Sequence, residues 1–215
     1  PGGIPNDPIT TAVSDHGAVG DGSTDDYPAF AAAIAALPAA GGVVYVPAGT
    51  YRIESTIDLD DGVVIRGAGP GQTSLEFDLG STSAPAFEAV TYQRGDWTAI
   101  TAGHGKGSTV ITVADAGQMV IGEYAEIQQE NDPALMYTDP MWNVSWADNS
   151  VGEMVKVVSV SGNDVTLAEP LHHDYDPAQD PIVRPLGLVE YAGIEDLRID
   201  RIDAGEAATI AYKNA

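Results

Sequence analysis

Short apolar segments separated by turns dominate the first third of the chain. β-Branched residues fill Val43–Val46 and Val63–Ile65, and apolar and polar residues alternate in Ser74–Phe77. Each segment is bounded by Gly, Pro or Asp, the residues that favour turns. Because these strands follow one another without intervening helices, the pattern predicts a solenoid in which each coil buries its apolar side chains against the next.

One early segment has helical periodicity instead. The Ala-rich stretch from Tyr27 to Leu37 places Phe30 and Ile34 on one face. One of the three polar residues at positions 24–26 is the predicted N-cap. Upstream, residues 17–22 contain three glycines, which permit the positive φ angles of a tight loop.

Residues 95–185 depart from the solenoid rhythm. A two-residue turn at Gly162 and Asn163 predicts a β-hairpin between two of the strands found here. The candidate strands are Thr109–Val113, Tyr124–Gln128, Met154–Val160 and Val165–Leu167. We therefore expect an inserted small antiparallel β-barrel or sandwich. The predicted organisation is a lead-in at 1–12, a cap and first coils at 13–94, the insertion at 95–185 and resumed coils at 186–215.

A long loop, Asn131 to Gly152, separates the second and third of these strands. It contains Tyr137, Trp142 and Trp146. Long loops that carry aromatic residues often form binding surfaces, and sugar rings stack on flat aromatic rings. These three residues are therefore candidates for substrate binding. The alternative is that the tryptophans fill the barrel or seal it onto the coils.

Charge and composition exclude several classes of protein. Nine basic against 32 acidic residues give a net charge of −23, so nucleic acid and anionic membrane surfaces would be repelled. No apolar run approaches the roughly 18 residues of a membrane span. The chain has no cysteine, which excludes disulfides, thiolate zinc sites and cysteine nucleophiles. The acidic excess is typical of solubility in high salt or of secretion, and acids arranged around a cation are the alternative.

The densest polar cluster is His172–Asp176. A histidine that titrates near neutrality can serve as a general base, and His173 is our candidate. Asp174 and Asp176, two positions apart in an extended segment, share a face, and carboxylates suit calcium. Adjacent histidines point to opposite faces, which speaks against both binding one ion. The alternative is an exit loop from the inserted region.

Solenoid patterning returns at Val189–Asp200. Leu197 and Ile199 are expected to point inward, which leaves Arg198 and Asp200 on the outer face. The chain ends soon afterwards, at Ala215. Because a solenoid needs about three stacked repeats and a polar cap, we expect further coils, or another chain, to complete it.

Residues 15–26 (DHGAVGDGSTDD), the Ala-rich helix and residues 41–51 (GGVVYVPAGTY) together resemble the N-terminal signature of the pectate-lyase-like superfamily. The match covers residues 13–77, with a fainter echo at 189–203. His16 departs from the family pattern, which usually has Phe or Tyr before this glycine. The resemblance implies an all-β protein, a right-handed parallel β-helix with an N-terminal capping helix, here with the inserted barrel or sandwich.

The resemblance also implies a secreted or extracellular protein that acts on polysaccharide. Such enzymes place acids, bases and a cation on the outer faces of their coils, so Arg198 and Asp200 join His173 as the catalytic candidates. We expect degradation of an acidic polysaccharide by β-elimination, narrowly ahead of hydrolysis, with calcium as the ion that would bridge protein and polymer. The alternative is a non-catalytic, carbohydrate-binding or structural β-helix of the adhesin or tailspike kind.

Overall fold

The computed structural model describes residues 7–91, 93–134, 148–203 and 210–213. The chain divides into two compact units. One unit comprises residues 1–91 and 189–215, called here the coil unit. The other comprises residues 92–188, called here the barrel unit.

Strands account for most of the regular structure in both units. Among the described residues, the single α-helix, α1, spans Tyr27–Ala35. The strands are β1 (Ile9–Ala12), β2 (Asp21–Asp25), β3 (Gly42–Val46), β4 (Gly49–Ile53), β5 (Ile57–Asp58), β6 (Val63–Gly67), β7 (Thr73–Phe77), β8 (Phe87–Val90), β9 (Thr98–Ala102), β10 (Val110–Val113), β11 (Tyr124–Gln129), β12 (Val151–Ser161), β13 (Asp164–Leu167), β14 (Ile182–Leu186), β15 (Gly193–Glu195), β16 (Arg198–Arg201) and β17 (Ile210–Lys213).

The coil unit is built from three parallel sheets. Sheet 1 has the strand order β1-β3-β6-β15, sheet 2 has β2-β4-β7-β16, and sheet 3 has β5-β8-β17. The chain visits the sheets in turn, and each coil pairs in parallel with the coil before it. The first coil contributes β1 and β2, and each of the next three adds one strand to every sheet. This arrangement is a parallel β-helix and confirms the predicted strand-built solenoid. Residues 9–12, which we expected in a lead-in, form β1 beside β3.

Alternate residues of each coil strand point into one apolar core. The register stacks Tyr51 on Leu75, and Leu75 on Ile199 of the last coil. The rings of Phe77 and Phe87 meet edge to face, with their centroids 5.3 Å apart. Fully burying such a side chain contributes about 1.5–3 kcal/mol to stability. The opposite residues of the same strands are left on the outer faces, where they are available for binding.

Helix α1 packs on this core and begins at Tyr27 as predicted, with the side chain of Asp25 accepting a hydrogen bond from the Tyr27 N–H at 3.0 Å. It ends at Ala35, before the predicted end at Leu37. Phe30 is fully buried and meets the ring of Tyr51 at 5.9 Å. The N-cap residue, Asp26, gives no side-chain bond to the helix. Its carboxylate instead accepts hydrogen bonds from the backbone N–H groups of Val19 (2.7 Å) and Gly20 (3.1 Å). Because the carboxylate is nearly buried, these two bonds replace its lost water contacts and fix the glycine-containing loop.

The barrel unit is a closed antiparallel barrel with the strand order β10-β13-β12-β11-β14-β9. The two-residue turn at 162–163 joins β12 to β13, as the sequence predicts, and Gly162 has a φ of +59°. Strands β9 and β14 complete the barrel, and the sequence analysis missed both. Strand β14 contains Pro185, which argues against a strand assignment, and β9 is short and consists largely of Thr and Ala.

A buried carboxylate holds the segment that follows β13. The side chain of Glu153 is only 10% exposed. It accepts hydrogen bonds from the backbone N–H of His172 (3.1 Å), the Nδ1–H of the same residue (2.9 Å) and the hydroxyl of Tyr175 (3.0 Å). Burial acts to raise the pKa of Glu153, but these hydrogen bonds outweigh burial and lower it. Burial, with the charge of Glu153, raises the pKa of Tyr175 strongly.

An ion pair between Arg201 and Asp203 connects the last coil to the turn between β7 and β8 in the coil before it. The side chains of Arg201 and Asp203 are 8% and 4% exposed, and Nε lies 2.5 Å from Oδ1. The guanidinium also donates to the carbonyls of Ala84 (2.6 Å) and Thr82 (2.8 Å), and the Asp203 carboxylate accepts from the N–H of Ser81 (2.6 Å). Hydrogen bonding from Arg201 is the main reason that the pKa of Asp203 falls to about 2.

Replacing Arg201 by Ala should lower the thermal unfolding midpoint, because it leaves two carbonyls without their donor and the Asp203 carboxylate without its cation. Circular dichroism melts would measure this, with Arg52→Ala as the control, since Arg52 pairs with Glu54 and Asp78 on a more exposed surface. An equal fall of the unfolding midpoint in both variants would contradict a special stabilising role for the Arg201 to Asp203 pair.

The same pair predicts a pH dependence of stability. Because the folded pKa of Asp203 is depressed from 3.8 to about 2, its contribution is complete above pH 3.8 and is lost as the pH falls toward 2. Melts of Arg201→Ala should therefore depend less on pH in this window than melts of the unaltered chain. Parallel pH profiles would contradict this prediction.

Replacing Glu153 by Gln should loosen residues 171–176, because an amide NH₂ would face donors that now share a carboxylate. We expect amide exchange in this segment to accelerate about tenfold or more, measured by hydrogen exchange with mass spectrometry. Glu169→Gln is the control, since Glu169 is exposed beside the same segment.

Because the pKa of Glu153 is lowered on folding, the contribution of this network to stability is complete above the ordinary pKa of 4.5 and is lost as the pH falls through the folded pKa. Unchanged exchange in Glu153→Gln would show that the network does not hold the segment.

Candidate functional site

The outer face of sheet 2 aligns polar side chains from three successive coils. Strands β4, β7 and β16 pair in parallel without a shift, so residues at equivalent positions lie side by side. Two adjacent rows result, which we call the charged rows. They are Arg52, Glu76 and Asp200 in one row, and Thr50, Ser74 and Arg198 in the other.

Arg198 and Asp200 lie on this face in the predicted orientation, with Leu197 and Ile199 against the core. The Arg198 Nε is 2.6 Å from Oδ2 of Asp200, and its Nη2 donates to Oδ1 at 3.0 Å. Ser74 lies near the same carboxylate, with 3.4 Å between Oγ and Oδ2. The Arg198 side chain remains 65% exposed. Because an exposed ion pair contributes little stability, a carboxylate on a ligand could take the place of Asp200 at small cost.

Glu76 is a candidate site residue that the sequence analysis missed. It lies between Arg52 and Asp200 in its row, and in the part of the chain that the structure describes its carboxylate makes no hydrogen bond or ion pair. Neighbouring strands are about 4.8 Å apart. The carboxylates of Glu76 and Asp200 can therefore approach the separation of about 5–5.5 Å that retaining glycosidases use.

A sequence signal for Glu76 exists in the coil repeat. The segments Ser74–Phe77 (SLEF) and Arg198–Arg201 (RIDR) share an inward aliphatic residue followed by an outward acid. Aligning Leu75 with Ile199 places the two acids in register, and the structure has this register.

Sheet 3 carries another pair of neighbouring carboxylates. Asp58 and Glu88 occupy equivalent positions of β5 and β8. The next position of that row is Ala211 of β17. In the charged rows of sheet 2, by contrast, every position is polar. Among the described residues, no ion pair joins an arginine to Asp58 or Glu88, whereas Arg198 pairs with Asp200 on sheet 2.

The predicted base, His173, lies in the barrel unit, whereas Arg198 and Asp200 belong to the coil unit. Its exposed ring meets Tyr175 edge to face at 6.3 Å, and it is the neighbouring His172 that bonds Glu153. The predicted substrate-binding residues Tyr137, Trp142 and Trp146 lie outside the described residues.

Asp174 and Asp176, the predicted metal ligands, each accept a backbone hydrogen bond, from a distant residue for Asp174 and from a local one for Asp176. Asp174 Oδ1 accepts from the N–H of Lys106 at 2.8 Å, and Asp176 Oδ1 accepts from the N–H of Ala178 at 2.9 Å. Within residues 7–91, 93–134, 148–203 and 210–213, no group of three or more His, Asp or Glu side chains could hold a metal. Calcium takes six to eight oxygen ligands, so further oxygen atoms would have to join these two carboxylates, and their metal-binding role stays a prediction.

Comparison with known proteins relates the chain to enzymes of polysaccharide metabolism. It is 51% identical over 75 residues to mannuronan C5-epimerase AlgE3 of Azotobacter vinelandii, covering 31% of this chain and 4% of the relative. It is 47% identical over 72 residues to alginate lyase 7 of the same organism, covering 30% and 8%. It is 28% identical over 170 residues to rhamnogalacturonase A of Emericella nidulans, covering 72% and 30%. The chain therefore spans less than a third of the length of these relatives.

Two phage tailspikes have the same fold. Gp54 of Acinetobacter baumannii bacteriophage AP22, solved with a capsular saccharide, matches with a TM-score of 0.66 and 15% identity, covering 96% of this chain and 32% of its own. The gp61 tailspike of Pseudomonas phage phi297 matches with a TM-score of 0.67 and 19% identity, covering 93% and 34%. Among the described residues, no helix is long and apolar enough to cross a membrane.

The family model of rhamnogalacturonase A and epimerase, pectate-lyase-like, matches residues 10–151, which confirms the predicted superfamily. The chain belongs to this pectate-lyase-like family.

Proposed function

We propose that this chain is part of an enzyme that acts on an acidic polysaccharide through the charged rows of sheet 2. The observation that carries the proposal is the pair of neighbouring carboxylates, Glu76 and Asp200, with the exposed guanidinium of Arg198 in the next row. The names of the relatives, which include mannuronan epimerases and an alginate lyase, support a uronate polymer as the substrate class.

The first step is recognition of a uronate carboxylate by Arg198. A planar guanidinium binds a carboxylate through two parallel hydrogen bonds, the geometry that Arg198 now has with Asp200. When a uronate takes that position, the Asp200 carboxylate loses its partner and becomes available as a base. Neutralising the uronate also makes the hydrogen on its C5 carbon easier to remove.

Two reactions are open to this arrangement. In β-elimination, a base removes the C5 proton, a C4–C5 double bond forms, the C4–O bond breaks and an acid protonates the departing oxygen. In hydrolysis, one carboxyl group protonates the glycosidic oxygen while the other acts as nucleophile or activates water. The Glu76 and Asp200 pair provides the two groups that either reaction needs. The role of His173 stays a prediction.

Calcium enters this proposal only as an ion shared between the acidic surface and the polymer. With a net charge of −23, the protein would repel a polyuronate at low ionic strength, and a divalent cation would reduce that repulsion. No step of the chemistry is assigned to it.

The finer features of the architecture belong to the same proposal. We propose right-handed winding of the coils, closure of the first coil by α1, and an inserted subdomain at 95–185 whose loop presents Tyr137, Trp142 and Trp146 to the polymer. We also propose an extracellular location, and further coils or another chain stacked on the last coil.

A non-catalytic, glycan-binding role is the second candidate. The two tailspikes cover 93–96% of this chain, including both units, and one was solved with a capsular saccharide. Under this reading the outer faces hold a glycan without cleaving it.

An activity screen distinguishes these candidates. Pectate, alginate, rhamnogalacturonan and neutral glucans would be incubated with the protein, with and without calcium, while ultraviolet absorbance and reducing ends are followed. We expect turnover of a uronan, with absorbance identifying elimination and reducing ends alone identifying hydrolysis. Stable binding of a polymer without any product would favour the second candidate.

Variants of the charged rows locate the activity. Glu76→Gln and Asp200→Asn should each lower kcat/KM by about a hundredfold or more, because a general acid or base contributes 10²–10⁴. Arg198→Ala should raise KM for uronates, and Arg198→Lys should restore part of the binding. Glu88→Gln on sheet 3 is the matched control and should retain activity. Full activity in folded Glu76→Gln and Asp200→Asn would contradict the placement of the site.

A further inference from the structure

A groove of about 840 Å³ lies in the coil unit, beside sheet 1 rather than sheet 2. It is lined by residues 7, 8, 10, 39–43, 61, 62, 64 and 190–195, which come from successive coils. Glycines at positions 41, 42, 62 and 193 expose backbone along it. Its volume is in the range of about 300–1,000 Å³ that is typical of ligand sites.

Tyr191 lines this groove and is largely exposed. Its relative exposure is 82%, the highest among the large apolar and aromatic residues that the structure describes. Its φ of +60° lies in the left-handed region, which is unfavourable for a bulky residue. The Tyr191 ring therefore contributes little packing, while the backbone conformation of this residue lowers stability. This combination is expected where a side chain serves to contact a ligand.

The backbone before Tyr191 is held from both sides. The N–H of Glu190 donates to Oδ1 of Asp61 at 2.8 Å, and the carbonyl of Glu190 accepts from the N–H of Gly62, also at 2.8 Å. The ring is thus presented from a segment anchored to the turn between β5 and β6. A backbone that is already held in place loses little conformational freedom on binding, which favours affinity.

The charge of the groove selects the kind of sugar. Carboxylates of Asp7, Asp61, Glu190 and Glu195 line it. Arg66 pairs with Glu195 and donates to the backbone carbonyl of Asp7 at 2.7 Å, so the cation beside the groove is already engaged. A uronate would be repelled here, whereas the hydroxyl groups of an uncharged sugar can donate to carboxylates.

We infer that this groove is a subsite for an uncharged pyranose, stacked on Tyr191 and hydrogen-bonded to the carboxylates around it. It is separate from the charged rows of sheet 2 and stands whether or not those rows catalyse a reaction. An extended heteropolymer with charged and uncharged sugars could use both surfaces.

Two substitutions test the groove without disturbing the fold. Tyr191→Gly removes the ring and relieves the positive φ, so the melting temperature should stay the same or rise while binding is lost. Gly193→Gln places a side chain in the groove, since a Cβ at this position meets only Val64, at an ordinary 3.8 Å. Tyr191→Phe keeps the ring and is the matched control.

Binding would be measured by isothermal titration and saturation-transfer NMR with hexasaccharides of glucose and N-acetylglucosamine, against hexamannuronate and hexagalacturonate. We expect an uncharged hexasaccharide to bind the unaltered chain, binding about tenfold or more weaker in Tyr191→Gly and Gly193→Gln, and little change in Tyr191→Phe.

Three results would overturn the inference. The first is binding of no uncharged oligosaccharide. The second is binding that is unchanged in folded Tyr191→Gly and Gly193→Gln. The third is uronate binding that these variants abolish, because the groove would then take the opposite class of sugar. Since none of these readouts depends on turnover, failure of the groove inference is distinguishable from failure of the proposed activity at sheet 2.

Discussion

Parallel pairing of each coil with the one before it is the constraint on which the rest of the structure depends. It places inward residues such as Tyr51, Leu75 and Ile199 in one continuous core. The same register places the intervening residues in rows on the outside. The carboxylates of Glu76 and Asp200 lie far apart in the chain and become neighbours only because β16 pairs with β7. The same strand register thus determines both the core and the candidate site.

The last coil must recover this register after the chain has passed through the barrel unit. Local interactions help to hold it there. Arg201 and Asp203 bond the turn between β7 and β8, and Asp61 bonds the backbone of Glu190 just before β15. The acidic residues of this chain are therefore not only a solvated surface. Several of them, including Asp26, satisfy backbone N–H groups at turns that the solenoid would otherwise leave without partners.

Most of the coil architecture could be predicted from the sequence, because short alternating strands and glycine turns act locally. The helix start at Tyr27, the positive φ angles at Gly17, Gly20 and Gly22, and the inward placement of Leu197 and Ile199 are all in the structure, although the helix ends at Ala35 and not at the predicted Leu37. Strands β1, β9 and β14 were missed, since their sequences are short, polar or contain proline and they are stabilised by pairing with distant strands. Glu76 and Tyr191 were missed for a related reason: register and exposure decide their roles, and both arise only in the assembled coils.

The most direct test of the account is a crystal structure of the Glu76→Gln variant with a uronate oligosaccharide. The account predicts that the sugar lies across the charged rows of sheet 2, with a carboxylate group on the guanidinium of Arg198 and a ring above the carboxylate of Asp200. An oligosaccharide bound at another surface, with the Arg198 to Asp200 ion pair intact, would contradict it.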